Sequence, residues 1–402
     1  MQTELSTDFK ETLAGAKAKD ILRACVHCGF CAPVCPTYAL TGNELDSPRG
    51  RIYQIKQMVE GNVISKHTQL HLDRCLTCGA CEQACPSGVQ YLSLLEIGRN
   101  IVEKNVPRAW REKLTRWLMR NIVSDASRFA FAATLGRMFK WALPYNLREK
   151  LPKKAKKIVW PTSQHLRKMI VLRGCVQPTV APETNAAAAR VLDRLDISLL
   201  EVADEGCCGA IHHHLASSDK AREQARRNID AWWPPIEQGA EAIVMTASGC
   251  GLMVKEYGEL LSDDSAYATK AIRVSALTKD LAEIVSKENL DGFARLVEGK
   301  LIAYQCPCTL QHGQRLGGVV EDVLQRCGYH LTTVVESQQC CGSAGTYSIL
   351  QPTMASQLLE KKLGALMSGK PELIVSANIG CQMHLATRAS VPIKHWIELL
   401  DQ

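Results

Sequence analysis

Cys25-Val-His-Cys28-Gly-Phe-Cys31-Ala-Pro-Val-Cys35-Pro36 is one of two stretches that decide how the N-terminal part of this 402-residue chain folds. The other stretch is Cys75-Leu-Thr-Cys78-Gly-Ala-Cys81-Glu-Gln-Ala-Cys85-Pro86, which begins 50 residues later. Both have the spacing Cys-x2-Cys-x2-Cys-x3-Cys-Pro. In this pattern a tight loop places three thiolates on one cubane cluster, and the fourth thiolate ligates a second cluster. The two runs therefore predict two [4Fe–4S] clusters.

The spacing assigns the ligands of the two clusters crosswise. One cluster is expected on Cys25, Cys28, Cys31 and Cys85, and the other on Cys75, Cys78, Cys81 and Cys35. This crossing brings the clusters close together, as stepwise electron transfer requires. Two structural zinc sites are the alternative, because Cys-x2-Cys pairs also bind zinc. Zinc ribbons rarely use this 2-2-3 spacing twice, so we favour cubane clusters.

The insert of about forty residues between the two runs is expected to be helical. Ser47 is a suitable N-cap, and Pro48 suits the first position of a helix. Apolar residues recur at helical spacing from Ile52 to Val59, and Gly61 is a suitable helix end. We therefore predict an α-helical two-cluster ferredoxin domain over residues 1–105.

The second half of the chain repeats itself at a nearly constant offset. Each copy contains a single cysteine, a Cys-Cys-Gly triplet 32 residues later and a downstream Gly-Cys pair, and matched cysteines are 133, 133 and 131 residues apart. These offsets indicate a duplicated unit. Each unit reads strand–helix–strand–helix–strand, which predicts a duplicated α/β domain over residues 166–298 and 299–402.

The repeated cysteines follow predicted strands, so they are expected at the sheet edge where α/β proteins bind ligands. Four thiolates per unit predict a metal group: Cys175, Cys207, Cys208 and Cys250 in the first copy, and Cys308, Cys340, Cys341 and Cys381 in the second. A further iron–sulfur cluster, a zinc site and a redox dithiol all remain open. The equal spacing selects Cys308 rather than Cys306. Cys327 is expected to be a buried, inert thiol.

Eighteen cysteines in a long chain with a polar, acidic start favour reduced, metal-bound thiolates in a cytoplasm over a secreted disulfide scaffold. No run of 18 or more apolar residues is present to span a membrane. The net charge of +7 is concentrated between Arg108 and Lys157, where 14 Lys and Arg oppose 3 Asp and Glu. Residues 106–165 are therefore predicted to form a basic amphipathic helical linker.

Such a linker could lie on an anionic membrane surface or dock on an acidic partner. Nucleic acid is not expected, because no binding motif accompanies the charge. No Gly-x-Gly-x-x-Gly follows a strand, so no flavin or nicotinamide site is expected in this chain. No catalytic Ser/His/Asp or Cys/His arrangement stands out either. We therefore expect no catalytic residues and no site for an organic substrate.

Whole motifs around these cysteines resemble those of the glycolate oxidase iron–sulfur subunit family. They include Ile21-Leu-Arg-Ala-Cys25, Asp46-Ser-Pro-Arg-Gly-Arg-Ile-Tyr53, Thr246-Ala-Ser-Gly-Cys-Gly251 and Gln339-Cys-Cys-Gly-Ser-Ala-Gly-Thr-Tyr347. The Cys-Cys-Gly units also resemble the CCG domain of heterodisulfide reductase. A fifth cysteine is found there three residues after the Gly-Cys pair, where this chain has Met253 and His384.

The resemblance implies a subunit of a cytoplasmic bacterial complex, peripherally bound to the inner membrane. FAD-containing partner subunits would oxidise glycolate, and this chain would relay the electrons towards a quinone without activity of its own. Three alternatives remain open. The chain could be a CCG-domain reductase subunit acting on a disulfide or quinone, or an iron–sulfur subunit of a lactate or glycerol-3-phosphate dehydrogenase. It could also be a scaffold whose repeat binds only zinc.

Overall fold

The computed structural model describes residues 1–142, 158–293 and 300–401, which fall into two compact units. Unit 1 contains Met1–Thr115 and Gln338–Lys362, and unit 2 contains Arg116–Ser337 and Leu363–Gln402. The second Cys-Cys-Gly triplet thus belongs to the same unit as the two N-terminal cysteine runs. Part of the predicted linker, residues 143–157, and the predicted repeat boundary, within residues 294–299, lie outside the described residues.

The N-terminal region is helical, as the sequence predicts. Its α-helices are α1 (Thr7–Lys10), α2 (Leu13–Ala24), α3 (Pro36–Thr41), α4 (Pro48–Val59), α5 (Lys66–Asp73), α6 (Ala80–Gln83), α7 (Tyr91–Asn105), α8 (Trp110–Leu118) and α9 (Ala126–Met138). The start of α4 is the predicted one, because Ser47 Oγ accepts a hydrogen bond of 3.0 Å from Gly50 N and Pro48 is the first helical residue. Gly61 follows its end with φ +89°.

The core of unit 1 forms where α2, α4, α5 and α7 pack together. Ile55, Leu72 and Leu94 are fully buried there. Gly98 allows α7 to approach α4 closely, since a Cβ at this position would lie 2.7 Å from Ile55 Cγ1. Three ligand candidates, Cys25, Cys75 and Cys81, lie within this core. The helical core therefore carries both cysteine loops.

Two four-stranded parallel sheets form the centre of unit 2. The first has the order β2-β1-β3-β4 and the second the order β6-β5-β7-β8. The strands are β1 (Arg167–Val171), β2 (Ile197–Glu201), β3 (Ile243–Met245), β4 (Thr278–Asp280), β5 (Leu301–Gln305), β6 (His330–Leu331), β7 (Leu373–Ser376) and β8 (Ile393–His395). Matched strand order in the two sheets is the structural form of the sequence repeat, so the predicted fold class is confirmed.

Helices connect these parallel strands, as crossover connections require. They are α10 (Gln177–Val180), α11 (Glu183–Asp193), α12 (Ala210–His214), α13 (Ser218–Glu237), α14 (Ser248–Lys255), α15 (Tyr257–Leu260), α16 (Ala268–Leu277), α17 (Leu281–Val285), α18 (Val319–Arg326), α19 (Tyr347–Leu350), α20 (Pro352–Met367) and α21 (Ile379–Ala386). One hydrophobic core contains residues of both sheets, including Val171, Val244, Ile302 and Val375. The two repeats within unit 2 are therefore packed around shared apolar side chains.

Candidate metal centres

The two N-terminal cysteine loops have the same backbone turn. His27 and Gly29 in the first loop have φ of +55° and +87°, and Thr77 and Gly79 at the matching positions of the second loop have φ of +53° and +76°. Left-handed residues are uncommon outside glycine, so two of them at identical positions mark a specific geometry. Both loops therefore curl around a centre in the way that the 2-2-3 spacing predicts.

An open cavity lies inside the first loop. Its lining includes all four cysteines of the first predicted ligand set, which are Cys25, Cys28, Cys31 and Cys85. Cys85 comes from the second loop, and so does Cys81, which lines the same cavity although it belongs to the second predicted set. Cys28 is exposed, and Phe30 beside it is 64% exposed. The first centre thus lies at the surface of unit 1.

The second predicted ligand set is more deeply placed. Cys35, Cys75 and Cys81 are buried, and Cys78 is partly buried. Burial raises the pKa of Cys81 well above its usual value, and the neighbouring thiols of Cys78, Cys75 and Cys35 raise this pKa further. Cys81 therefore lies within electrostatic reach of the other three thiols of its set and also of Cys31 from the first set. The assignment of each cysteine to a cluster remains a prediction.

Positive charge and hydrogen-bond donors surround Cys75. Burial raises the pKa of this thiol, but the charges of Arg51 and Arg99 outweigh burial and leave its pKa below the usual value. Tyr91 Oη donates a hydrogen bond to Cys75 Sγ at 3.5 Å, and Thr77 N lies at the same distance. Arg99 Nη2 donates to the Cys75 carbonyl oxygen at 2.7 Å. This environment favours a thiolate, which is the form that binds iron.

The first Cys-Cys-Gly unit brings its four predicted ligands into one cluster within unit 2. Cys175 follows β1, Cys207 and Cys208 follow β2, and Cys250 lies in α14 after β3. The thiols of Cys175 and Cys208 act on the pKa of Cys207, and the thiol of Cys250 acts on the pKa of Cys208, so the four thiols lie close together. Hydrogen bonds from Cys175 and then from Cys208 hold the pKa of Cys207 well below its usual value. Four thiols thus converge at the carboxyl ends of strands, where α/β proteins bind ligands, and their role as metal ligands remains a prediction.

Glycine is required after each Cys-Cys pair. Gly209 has φ +92° and Gly342 has φ +87°. A Cβ on Gly209 would lie 3.2 Å from the Ala221 carbonyl oxygen, and a Cβ on Gly342 would lie 2.7 Å from that of Ala355. In both copies the turn therefore approaches the backbone of the following helix, which explains the conserved form of the triplet within this chain.

Two positioning residues were not predicted from the sequence. Asn228 Nδ2 donates to the Cys207 carbonyl oxygen at 2.9 Å, and Asn228 Oδ1 accepts from Gly206 N at 2.8 Å. Tyr257 Oη donates to the Cys208 carbonyl oxygen at 2.8 Å. Both side chains are completely buried. An asparagine among the apolar residues of a predicted helix was the only signal in the sequence.

The cysteines of the second Cys-Cys-Gly unit fall in both compact units. Cys308 and Cys381 lie in unit 2, whereas Cys340 and Cys341 lie in unit 1. Cys381 Sγ accepts a hydrogen bond of 3.5 Å from Asn378 Nδ2. Their role as a ligand set remains a prediction.

The two positions that lack the fifth cysteine of the CCG domain differ from each other. Met253 is buried, and its Cε lies 3.6 Å from the site of a Cβ on Gly209, so an apolar thioether fills the position in the first copy. His384 is partly exposed in the second copy. Cys327 is fully buried in the core, and burial raises its pKa to about 11, as expected for an inert thiol.

The donor sets fit iron–sulfur groups in chemistry. Thiolates are the ligands of such clusters, and Arg51 Nη2 is a buried donor without a hydrogen-bond partner. Among residues 1–142, 158–293 and 300–401, no three His, Cys, Asp or Glu side chains form a ready site for a single metal ion.

Over the same ranges, no helix is both long and apolar enough to cross a membrane.

Known proteins match the chain along its whole length. Residues 21–89 match the 4Fe-4S dicluster domain family, and residues 169–255 and 302–386 match the family described as cysteine-rich domain. The chain is 52% identical over 403 residues to the glycolate oxidase iron-sulfur subunit of Escherichia coli (strain K12), an alignment covering 100% of this chain and 99% of that protein.

A second relative and a solved structure agree with these matches. The chain is 28% identical to the probable glycolate oxidase iron-sulfur subunit of Bacillus subtilis (strain 168), over 95% of this chain and 91% of that protein. A crystal structure of a hypothetical protein from Helicobacter pylori covers 96% of this chain and 71% of its own, with a TM-score of 0.56 and 8% identity. The latter likeness concerns the fold alone.

Proposed function

Because the chain belongs to the family of glycolate oxidase iron–sulfur subunits, we propose that it relays electrons from a flavin-containing partner subunit towards a quinone. The chain is thus a subunit of an oxidoreductase complex and not an independent catalyst. Its iron–sulfur domain is the 4Fe-4S dicluster type. Beyond family membership, we propose the number of clusters, the cofactor of the partner subunit, the electron acceptor and the location in the cell.

One observation supports two clusters above all others. The cavity inside the first cysteine loop is lined by three cysteines of that loop and by Cys81 and Cys85 of the other, so thiols of both loops gather there. Cys25, Cys28, Cys31 and Cys85 would hold one [4Fe–4S] cluster, and Cys75, Cys78, Cys81 and Cys35 the other. Each bound cluster would supply a one-electron carrier. Shared loops keep the two carriers near each other, which a relay needs.

The first Cys-Cys-Gly unit would hold a further metal group on Cys175, Cys207, Cys208 and Cys250. We propose an iron–sulfur cluster there, because four thiols with no nitrogen or oxygen donor among them suit iron–sulfur chemistry. Asn228 and Tyr257 fix the carbonyl groups of the Cys-Cys pair, so the two adjacent thiols keep their directions. Zinc and a free dithiol are the outcomes that metal analysis would distinguish.

The electron balance supports a flavin in the partner subunit. Oxidation of glycolate to glyoxylate releases two electrons and two protons, whereas each cluster takes one electron at a time. A flavin accepts such a pair and can pass its electrons on singly. The sequence of this chain contains no nucleotide-binding glycine motif of its own, so the flavin is assigned to FAD-containing partner subunits.

Attachment to the cytoplasmic face of the inner membrane is supported by α9 and the residues that follow it. Phe131, Met138 and Trp141 are 67%, 66% and 77% exposed. Arg137 and Lys140 lie among them. Apolar side chains interspersed with basic ones suit an anionic lipid surface, where they bury in the headgroup region while the charges meet phosphate. Quinone dissolved in that membrane would then be within reach of the complex.

The first experiment measures iron, zinc and acid-labile sulfide per chain after anaerobic purification, with EPR of the reduced protein. About eight irons with signals from two interacting clusters would support the two-cluster relay and leave the Cys-Cys-Gly half with zinc or a dithiol. About twelve or more irons would support a further cluster. Zinc in place of iron at the N-terminal sites would overturn the proposed function.

Vesicle flotation tests the membrane proposal. The full chain should float with vesicles containing phosphatidylglycerol and stay behind with pure phosphatidylcholine, and high salt should reduce the binding because the charges are screened. A Phe131→Ser/Trp141→Ser double variant should bind less. Equal binding by the variant and the unaltered chain would contradict the proposal. Binding to the purified partner subunit that is lost in the variant would identify a protein surface instead.

A further inference from the structure

Arg51 is a buried charge whose position the cysteine motifs do not explain. It lies in α4 with 1% of its surface exposed. Its Nε donates to the His71 carbonyl oxygen at 2.8 Å, and its Nη1 donates to Thr37 Oγ1 at 3.1 Å. Nη2 makes no hydrogen bond, and its distance to Asp46 Oδ1 is 3.5 Å. Arginine is almost never buried to this degree unless it is paired, so the charge has a specific use.

The carboxylate of Asp46 is shared, so it does not fully neutralise the charge of Arg51. It also accepts hydrogen bonds from two other side chains. Its Oδ2 accepts from Arg74 Nη1 at 3.0 Å, and its Oδ1 accepts from His71 Nδ1 at 2.7 Å. Two guanidinium groups therefore face one carboxylate. The group of Arg51, Arg74 and Asp46 carries an excess of positive charge inside unit 1.

The excess positive charge faces the second ligand set. Arginine keeps its charge in proteins, and the charge of Arg51 interacts electrostatically with Cys75 and Cys35. Thr37, which Arg51 contacts, places Oγ1 3.2 Å from Cys35 Sγ. Arg51 is thus linked to Cys35 through the Thr37 hydroxyl group, and it lies within electrostatic reach of Cys75 from the other run. The first set has no buried arginine among the residues that line its cavity, since Arg49 is partly exposed.

A buried positive charge has a defined effect on a one-electron carrier. Reduction adds one negative charge, and burial makes this extra charge costly. A nearby cation lowers that cost, and net charge and hydrogen bonds around the sulfurs set the potentials of iron–sulfur groups. This effect is larger at the second set, in which three of the four cysteines are buried, than at the first set, whose Cys28 is exposed.

We propose that Arg51 sets the reduction potential at the second ligand set, Cys75, Cys78, Cys81 and Cys35, and keeps it above the value that burial alone would give. Arg51 is a positioning residue in this role: it touches no substrate and acts through its charge. The proposal rests on the proposed function, in which this set holds a [4Fe–4S] cluster. Beyond the proposed function, it identifies the residue whose charge allows the buried second cluster to accept an electron from the first.

The test is an EPR-monitored redox titration of the full chain with Arg51→Gln, Arg51→Lys and Arg49→Gln. Arg51→Gln should lower one midpoint potential and leave the other unchanged. Arg51→Lys should keep both midpoint potentials close to those of the unaltered protein, because the positive charge is kept. Arg49→Gln, two residues earlier in the same helix, should leave the potential of the second set unchanged, because Arg49 is 40% exposed, is paired with Glu44 and lines the cavity of the first set.

A Cys28→Ser variant identifies the signal of the first set, so the shifted potential can be assigned. The proposal fails if Arg51→Gln shifts neither potential, shifts both equally, or shifts that of the first set. It also fails if Arg51→Lys lowers the midpoint potential as much as Arg51→Gln does, because the positive charge would then not be the cause of the shift.

A second variant keeps the test decisive if Arg51→Gln does not fold. Arg74 is 28% exposed, so Arg74→Gln removes positive charge from the same group without leaving a deeply buried charge unpaired. It should lower the same potential by less than Arg51→Gln would, and an unchanged potential would overturn the proposal. Metal analysis separates the two levels of inference. Loss of the proposed function appears as missing clusters in the unaltered chain, whereas failure of this inference appears as two clusters with unshifted potentials.

Discussion

The two cysteine loops of unit 1 have one backbone geometry but two different surroundings. Left-handed residues occur at the same two positions in both loops. The first loop lies at the surface, with Cys28 and Phe30 exposed. The second loop lies against a buried group that contains Arg51, Asp46 and Tyr91. The comparison teaches that the spacing of cysteines specifies how a cluster is held, whereas residues far from the motif specify the environment that sets its electronic properties.

The largest expected effect is the loss of either relay centre. Cys28→Ser and Cys78→Ser change the matching cysteine in each loop. Both should abolish glycolate-dependent reduction of a quinone analogue by the assembled complex, because a relay needs every carrier. Each variant should also lose the EPR signal of one cluster and keep that of the other. Cys327→Ala, which changes a buried thiol outside the ligand sets, is the control and should retain activity.

Full activity of Cys28→Ser or Cys78→Ser in the complex would show that electrons bypass that loop. The far-UV circular dichroism of the variants should match that of the unaltered chain, since unit 2 contains neither cysteine. This comparison separates a missing carrier from a misfolded protein.

The second effect concerns the free energy of unfolding, which should fall more when the buried group beside the second loop is changed than when the exposed pair beside the first loop is changed. Asp46→Asn removes the carboxylate that faces Arg51, Arg74 and His71. A buried arginine would then lack its counter-charge, which costs about 3–5 kcal/mol of unfolding free energy. Glu44→Gln affects an exposed pair with Arg49 and should cost about 0.2–1 kcal/mol. Urea unfolding of the loaded chain measures both, and equal losses would mean that the buried group contributes little.

Much of unit 1 could be predicted because its signals are local. The helix start at Ser47-Pro48 and the crosswise gathering of Cys85 with the first loop both follow from short motifs. The group around Arg51 could not be predicted, because Thr37, Asp46 and His71 are brought together only by packing of α3, α4 and α5. Charge at a helical position normally indicates a solvated face, and only the tertiary structure shows that this one is buried.

Unit 2 shows the same division between local and long-range signals. The sequence predicted three strands per repeat, and the structure has a fourth in each sheet, β4 and β8, of three residues each. Such short strands contain too few apolar residues for a periodic pattern. The helix α13 continues to Glu237 through Pro234 and Pro235, although proline normally interrupts a helix. Proline removes N–H donors but leaves the preceding helical turns intact when packing holds them.

The third effect tests whether the backbone of the two loops is truly equivalent. Gly29→Ala and Gly79→Ala place a Cβ on residues with φ of +87° and +76°. A left-handed alanine costs about 1–2 kcal/mol, so both variants should lose similar amounts in urea unfolding. At Gly29 the nearest atom to the added Cβ is the flexible end of Arg49, at 3.3 Å, so sterics add little there. A loss at one loop only would show that the shared φ values do not reflect shared constraints.

The smallest effect should come from Tyr91, which donates to Cys75 Sγ at 3.5 Å. Tyr91→Phe removes only this hydroxyl, so the expected loss of unfolding free energy is about 0.5–1.5 kcal/mol. The potential of the second set should fall slightly, because one hydrogen bond to sulfur no longer stabilises the added negative charge. Tyr53→Phe makes the same change on an exposed side chain of α4 and should alter neither quantity. Equal behaviour of the two variants would mean that the donor at Cys75 is not felt by the cluster. If the potential and the stability fall only in Tyr91→Phe, the two loops differ in hydrogen bonding to sulfur as well as in nearby charge.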